Sequence, residues 1–220
     1  MRVNFNPPII PVTTKKVVHN IAILDSSGSM GGSKWVAAVD FVNKEIAEYK
    51  NQDLVDVVFS TVIFSNSGDI NFLQWKTNTP RVIDATFDYL GNNTALNDAI
   101  VKTLNKELES NQGEQVLVKI FTDGQENGSR FCNENDVKKV INACMEKGYT
   151  ITFSGTERDV KVAQKLYGID ESNTFVHENT ADSIVDYGVK TRGITMSYFK
   201  SVAKGEDVTK GFYKTIENED

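Results

Sequence analysis

Apolar residues along this chain follow two patterns, continuous runs and recurrences every three to four positions. The continuous runs predict buried strands at residues 17–24, 55–64, 115–122, 149–154 and 174–177. The helical recurrences predict helices at residues 36–49, 95–108, 135–147, 160–167 and 180–202. Because strands and helices alternate, we expect an α/β sandwich of three layers, with a mainly parallel central sheet and helices on both faces.

The first helix carries an apolar stripe that we expect to face the core. Its members are Val36, Val39, Val42, Ile46 and Tyr49, and Trp35 and Phe41 flank it. The third helix should end at Gly148, because glycine accepts the left-handed conformation of a helix C-terminus.

The segment after the second strand predicts one departure from parallel pairing. Residues 65–69 have turn chemistry, and residues 70–75 alternate imperfectly between apolar and polar. This pattern suits an antiparallel edge strand that a hairpin pairs back onto the sheet. A short helical turn is expected near residues 80–83.

The chain is expected to form one domain, residues 17–202, between two irregular ends. Its 220 residues, 40% of them hydrophobic, suffice for one large α/β core. Residues 1–16 hold three of the four prolines, which predicts an extended arm lying against the body, with a partner-binding arm as the alternative. Residues 203–220 lack periodicity and end in acidic residues, which predicts a loosely held tail.

Polar side chains follow directly on the first predicted strand. Asp25, Ser27 and Ser29 alternate, so in an extended loop their oxygens lean to one side. Ligands bind at this edge of α/β sheets, and these hard oxygens suit a small dication such as Mg²⁺. Three donors are only part of a six-oxygen shell, so further oxygens should come from elsewhere in the chain.

Two later residues can supply these oxygens. Asp123 follows the strand at 115–122, and Thr94 precedes the helix that begins near Ala95. If Asp25 and Asp123 lie about 5 Å apart, they repel each other by about 3 kcal/mol at an effective dielectric of about 20. A cation between them would turn that repulsion into attraction.

These residues resemble, in order, the metal-ion-dependent adhesion site of the von Willebrand factor A domain family. The resemblance rests on Asp25-Ser26-Ser27-Gly28-Ser29, Thr94 and Thr122-Asp123-Gly124, covers about residues 17–200, and implies a Rossmann-like fold with one antiparallel edge strand. It implies that the ligands of Mg²⁺ or Mn²⁺, and less readily Ca²⁺, are Asp25, Ser27, Ser29, Thr94 and Asp123. It implies binding without catalysis, in which an Asp or Glu side chain of a partner protein takes the open coordination position.

The resemblance also bears on the surroundings of the metal. The residues expected to rim it and to select the partner are Met30, Asn92, Asn93, Gln125, Glu126, Asn127 and Arg130. Partner binding in this family is often coupled to a shift of the last helix, which makes residues 180–202 a candidate moving element. Similar compact domains accompany bacterial stress-resistance or chaperone-like ATPase systems and occur in phages, and nothing in these residues selects among those settings.

A simpler interpretation of the same motifs remains. Serine and aspartate often begin helices, so Ser29 or Ser33 could be a helix cap, and Asp123-Gly124 could be only a turn. The loop after Asp123 could equally be an ordinary solvated loop.

Composition excludes several classes of function. A net charge of −6 disfavours broad nucleic-acid binding, and no apolar run approaches the length of a membrane span. The N-terminus has no uninterrupted apolar core, so we expect no signal peptide and a cytoplasmic protein. Cys132 and Cys144 lack zinc-type spacing and are expected to be reduced thiols, a disulfide being the alternative.

Two other functions stay open. A metal-dependent phosphohydrolase could use Asp25 as nucleophile, although Ser27 stands where such loops of the haloacid dehalogenase type carry a second acid. The second open function is that of an assembly or structural subunit whose metal is incidental. The glycine-rich stretch from Gly28 to Lys34 lacks the spacing of a nucleotide-binding loop, and His19 and His177 are expected to be packing residues on strands.

Overall fold

The computed structural model describes residues 15–214, so most of the proline-rich arm and residues 215–220 lie outside it. The strands are β1 (Val17–Asp25), β2 (Asp56–Phe64), β3 (Ile70–Thr77), β4 (Gln115–Phe121), β5 (Thr150–Gly155) and β6 (Thr174–Val176). The α-helices are α1 (Ser33–Tyr49), α2 (Leu96–Ser110), α3 (Glu134–Glu146), α4 (Glu157–Val162) and α5 (Ala181–Lys204). A π-helical segment, Ala163–Tyr167, continues α4, and short 3₁₀ turns lie at Gly28–Met30 and Glu171–Asn173.

The six strands form one mixed sheet in the order β3-β2-β1-β4-β5-β6. All neighbouring pairs are parallel except β2 and β3, so the predicted antiparallel edge strand is confirmed. Since β1 and β4 are parallel neighbours, with Leu24 opposite Phe121, their carboxyl ends meet at one edge of the sheet. This pairing places Asp25 beside the residues that follow β4.

Helices cover both faces of the sheet, as the alternation of elements predicts. One core lies between the sheet and helices α1 and α5, and includes Trp35, Phe121 and Tyr187. The other lies against α2 and α3, and includes Leu104 and Ile141. The chain therefore has the Rossmann-like three-layer architecture.

The buried face of α1 differs from the predicted stripe at one position. Val36 is 55% exposed, whereas Trp35, Ala38 and Phe41 are buried. The Trp35 indole donates a 2.9 Å hydrogen bond to the Ala85 carbonyl oxygen, and its larger apolar surface gains more from burial than that of valine. The helix is therefore rotated so that Trp35, not Val36, enters the core.

The prediction of a short helical turn near residues 80–83 is wrong. Residues 80–84 are irregular, and the Asn43 side chain both accepts from Ile83 N and donates to Ile83 O, each at 2.9 Å. This side-chain amide pairs with the backbone groups of Ile83, which leaves them unavailable for helical hydrogen bonds.

The expectation of a loosely held tail is wrong for residues 205–214. Val208, Phe212 and Tyr213 are buried in the α1–α5 core. The Asn173 side chain donates to Thr209 O at 2.8 Å and accepts from Phe212 N at 3.0 Å. Individual side-chain contacts hold this segment in place of the regular hydrogen bonds of a helix or strand. Its apolar residues therefore show no periodic pattern in the sequence.

A buried ion pair joins α1 to the middle of β4. Lys119 Nζ lies 2.5 Å from Glu45 Oε2, and the Tyr49 hydroxyl donates to Glu45 Oε1 at 3.0 Å. Burial lowers the pKa of Lys119, and the adjacent Glu45 carboxylate opposes that shift. The pair fixes the position of α1 along β4.

Both cysteines are free thiols, so the alternative of a disulfide is wrong. Within residues 15–214, every helix is too short or too polar to cross a bilayer.

Candidate metal centre

The five predicted ligands come from four places at the carboxyl edge of the sheet. Asp25 ends β1, Ser27 and Ser29 lie at the 3₁₀ turn that follows, Thr94 precedes α2, and Asp123 follows β4. The Ser27 and Ser29 hydroxyl oxygens are 3.0 Å apart, and Ser29 Oγ donates to Asp123 Oδ1 at 2.6 Å. Residues 94 positions apart in the chain are thus in direct contact.

Gly124 shows how closely the other oxygens approach. A Cβ atom built on Gly124 would lie 2.9 Å from Ser29 Oγ, 3.1 Å from Thr94 Oγ1 and 3.6 Å from Asp25 Oδ2. Oxygens from three separate segments therefore surround one small space. The structure brings all five predicted residues together.

Asp25 is a buried carboxylate without a cationic partner among its hydrogen bonds. Its Oδ1 accepts from Ser27 N at 2.8 Å, and its Oδ2 accepts from the Thr122 hydroxyl at 2.6 Å. Burial raises the pKa of Asp25 to about 6, the hydrogen bonds from Thr122 and Ser27 oppose that rise, and the charge of Asp123 adds to it. A bound cation would stabilise the ionised carboxylate.

The donor set fits a small, hard dication. It consists of two carboxylates and three hydroxyls, all oxygen ligands of the kind that Mg²⁺ and Mn²⁺ prefer. In the described part of the chain, no group of three or more His, Cys, Asp or Glu side chains is placed to hold a metal. A metal bound here would therefore need oxygens of serine and threonine as well as the two carboxylates.

Comparison with known proteins decides the family. The sequence model described as von Willebrand factor type A domain matches residues 21–187. The chain belongs to the von Willebrand factor type A domain family.

Solved structures share the fold of this type A domain at low sequence identity. A von Willebrand factor type A protein from Catenulispora acidiphila is 15% identical, with a TM-score of 0.56 over 83% of this chain and 43% of that one. The pilus adhesin SpaC from Lactobacillus rhamnosus GG is 12% identical, with a TM-score of 0.63 over 85% of this chain and 31% of that one. This chain thus spans less than half of either protein.

A third similar structure is described with a metal. Proximal thread matrix protein 1 from the mussel byssus, "with zinc occupied MIDAS motif", is 14% identical, with a TM-score of 0.57 over 86% of this chain and 46% of that one. A search of curated proteins finds no match.

Lys34 is a participant at the centre that the sequence analysis did not identify. Its ammonium contacts Asp123 Oδ2 and donates to Asn179 Oδ1 at 2.6 Å. A sequence signal was available, because Lys34 lies in the first turn of α1, where the helix dipole disfavours a cation.

The loop after Asp123 supports the loop that carries Thr94. Asn127 Oδ1 accepts from Thr94 N at 2.8 Å, and both Asn127 N and Gly128 N donate to Thr94 O at 3.0 Å. Glu126 accepts from Asn97 N at 2.8 Å and from Ser129 N at 2.7 Å. The Glu126 carboxylate, predicted at the rim, is thus engaged in organising the loop.

The remaining rim predictions divide by exposure. The exposed members are Asn92, Asn93, Gln125, Asn127 and Arg130. Met30 is fully buried in the α1–α5 core, so it is not available to a partner. The 3₁₀ turn Gly28–Met30 turns its side chain inward, which the spacing of the motif does not reveal.

Asp98 fixes the far end of the same loop. Its carboxylate accepts from Ser67 Oγ at 2.5 Å and from the backbone N–H groups of Arg130 and Cys132 at 2.9 and 2.8 Å. Phe131, held between them, is 80% exposed. The Phe131 side chain is therefore exposed to solvent, while the backbone on either side of it is held by hydrogen bonds to Asp98.

The structure also shows a serine, a histidine and an acid in contact inside the molecule. His19 Nε2 is 2.7 Å from Ser60 Oγ, and His19 Nδ1 is 2.9 Å from Glu107 Oε2. All three residues are buried, and Ser60 Oγ also accepts from Lys76 N. No substrate can reach this group in the described structure, so it supports the packing role expected for His19.

His177 is the other histidine. Its ring stacks on Phe121, with ring centroids 4.9 Å apart, and burial lowers its pKa. This contact agrees with the expected packing role.

Proposed function

We propose that this domain is a divalent-cation-dependent protein-binding module without catalytic activity. Mg²⁺ or Mn²⁺ would be held by Asp25, Ser27, Ser29, Thr94 and Asp123, and an Asp or Glu side chain of a partner would complete the coordination. The observation that carries the proposal is the approach of the Ser29, Thr94 and Asp25 oxygens to one point beside Gly124.

The balance of charge in the donor set supports an acidic ligand. Two carboxylates can at most neutralise a dication, and the three hydroxyls add no charge. A bound metal would therefore supply an electrophilic position that attracts a carboxylate. The exposed side chains of Asn92, Asn93, Gln125 and Arg130 would then make the contacts that distinguish one partner from another.

The contacts of Asp25 favour binding over phosphoryl transfer. Both oxygens of Asp25 accept hydrogen bonds, and the residue has no exposed surface. A nucleophilic carboxylate must reach the phosphorus atom of its substrate, and Asp25 has no exposed surface from which to do so. We place the domain in the cytoplasm, where its two free thiols would remain reduced.

A metal titration and a peptide selection test the proposal. Wild-type domain should bind Mg²⁺ in isothermal titration calorimetry, and Thr94→Ala should weaken that binding at least about tenfold, the cost of one lost ligand. Thr86→Ala, an exposed threonine of the preceding loop, is the matched control and should bind as wild type does.

The selection addresses the partner. Peptides recovered from a random library in Mg²⁺ and released by chelator should be enriched in Asp or Glu for wild type but not for Thr94→Ala. Recovery that is unaffected by chelator, or selected peptides without acidic residues, would contradict the proposed mode of binding.

A further inference from the structure

The ammonium of Lys34 is built into the metal centre. It contacts Asp123 Oδ2 from the first turn of α1, while Asp123 Oδ1 accepts from Ser29. The Lys34 side chain is 18% exposed and that of Asp123 is 0% exposed. Lys34 therefore contacts the Asp123 oxygen that does not accept from Ser29, on a carboxylate that is fully buried.

A second contact joins Lys34 to the end of the loop between β6 and α5. Asn179 Oδ1 accepts from Lys34 Nζ at 2.6 Å, and Asn179 directly precedes Thr180, the residue that caps α5. Because this contact does not involve Asp123, it would keep the ammonium beside the centre when a metal binds Asp123. The charge of Lys34 therefore acts on the centre, unlike that of a fully solvated lysine.

The charges of this group depend on Lys34. With Asp25 and Asp123 ionised, the two carboxylates and the ammonium sum to one negative charge, and a dication brings the sum to one positive charge. Without Lys34, the same metal-loaded centre would be neutral. A neutral centre attracts a carboxylate only through local polarity, whereas a positive one also gains from charge neutralisation.

We propose that Lys34 is a specificity-determining residue, which weakens metal binding to the free domain and strengthens the preference of the loaded domain for an acidic ligand. The inference rests on the proposed function, because it assigns a charge balance to that same centre. The two effects have opposite signs, and a merely structural lysine would not produce both. Lys34 thus strengthens the coupling between metal binding and carboxylate binding at this centre.

The experiment measures Mn²⁺ binding by electron paramagnetic resonance of the free ion. Each variant is titrated in chloride and in acetate at equal ionic strength, with acetate as the carboxylate probe and a protein-free titration to correct for the weak complex of free Mn²⁺. The variants are Lys34→Met, which removes the charge, Lys34→Gln, which keeps a hydrogen-bond donor, and Lys34→Arg, which keeps the charge. Lys44→Met, from a lysine that pairs with Asp40 on the exposed side of the same helix, is the matched control.

We expect Lys34→Met and Lys34→Gln to bind Mn²⁺ at least about tenfold more tightly than wild type in chloride, because a nearby cation no longer opposes the metal. We also expect acetate to strengthen Mn²⁺ binding in wild type, Lys34→Arg and Lys44→Met, and to strengthen it less in the two neutral variants, whose metal keeps its open position but lacks the extra positive charge. Circular dichroism identifies variants that retain the fold, and either neutral variant alone decides the question.

Two results would overturn the inference. Equal or weaker Mn²⁺ binding by the folded neutral variants in chloride would remove the first effect, and a full acetate response in them would remove the second. If wild type binds Mn²⁺ and Thr94→Ala does not, either result would overturn the inference about Lys34 and leave the proposed metal centre standing. Absence of Mn²⁺ binding to wild type would overturn the proposed function as well.

Discussion

The Thr122 hydroxyl donates a 2.6 Å hydrogen bond to Asp25 Oδ2 across the sheet edge where β1 and β4 both end. Thr122 is fully buried, and its oxygen also accepts from Gly124 N at 3.1 Å. One threonine thus connects the carboxylate that ends β1 to the turn that carries Asp123. It orients the carboxylate that we propose as a metal ligand.

Replacing Thr122 by valine should weaken the centre while its volume is kept. Thr122→Val leaves one oxygen of a buried carboxylate unpaired, so we expect the free energy of unfolding at pH 7 to fall by about 2 kcal/mol. We expect Mg²⁺ affinity to fall about tenfold or more. Urea unfolding and calorimetric titration measure the two effects, and Thr122→Ser, which retains the hydroxyl, should preserve Mg²⁺ binding. Equal affinity in Thr122→Val and wild type would show that this hydrogen bond does not position Asp25.

The raised pKa of Asp25 predicts a pH dependence for the metal-free domain. The pKa is about 6 in the folded protein and about 3.9 in an unfolded chain, so the folded state binds more protons between these values. The contribution of Asp25 to the free energy of unfolding is therefore fully present below about pH 4 and falls by about 3 kcal/mol as the pH rises through 6.

Saturating Mg²⁺ should remove this loss, because a metal favours the ionised carboxylate. Urea unfolding between pH 4 and pH 7, with and without Mg²⁺, measures the effect. Asp25→Asn is the reference that lacks the titrating group, and a metal-free wild type with the same pH slope as Asp25→Asn would contradict the prediction.

Gly124→Ala should block the centre and leave the fold intact. The new methyl group would lie within 3.1 Å of Ser29 Oγ and Thr94 Oγ1, in the space that the donors surround. We expect Mg²⁺ binding to weaken at least about tenfold, while circular dichroism remains that of wild type. Gly68→Ala is the matched control, since a Cβ atom there meets nothing within 4 Å. Unchanged Mg²⁺ binding by Gly124→Ala would mean that the metal lies elsewhere.

Alanine substitutions at two glycines of α5 should have opposite effects on the free energy of unfolding. A Cβ atom on Gly188 would lie 2.4 Å from Phe41 Cβ on α1, so Gly188→Ala must separate the two helices and should lower the free energy of unfolding by about 1–3 kcal/mol. Gly193 has open space around it, so Gly193→Ala should raise the free energy of unfolding by about 0.5–1 kcal/mol through helix propensity. Urea unfolding of both variants provides the comparison. A Gly188→Ala protein as stable as Gly193→Ala would show that α1 and α5 can move apart at no cost.

The alternation of strands and helices was enough to predict the layers. Turn chemistry predicted the antiparallel edge strand, and a glycine predicted the end of α3 at Gly148, whose φ is +79°. These features follow from local patterns of hydrophobicity and from turn chemistry. The approach of Thr94 and Asp123 to Ser29 was predictable only because both residues stand at ends of elements that a parallel sheet brings to one edge.

Other features depend on single contacts that no periodic pattern encodes. Met30 and Trp35 enter the core because a 3₁₀ turn and the start of α1 set their direction. Asn43 and Asn173 hold irregular segments by pairing their amides with backbone groups. Sequence spacing gives no sign of such pairings, since each joins positions roughly 40 residues apart.

The buried ion pair of Glu45 and Lys119 helps to preorganise the centre for a ligand. Sliding α1 along the sheet would separate the buried Glu45 carboxylate from the Lys119 ammonium, at a cost of several kcal/mol. Helix α1 also carries Lys34, and only two residues separate it from the 3₁₀ turn that contains Ser29. An ion pair slightly more than three helical turns along α1 thus holds the donors upstream of the helix in position, and binding of a cation would require little rearrangement of this side of the centre.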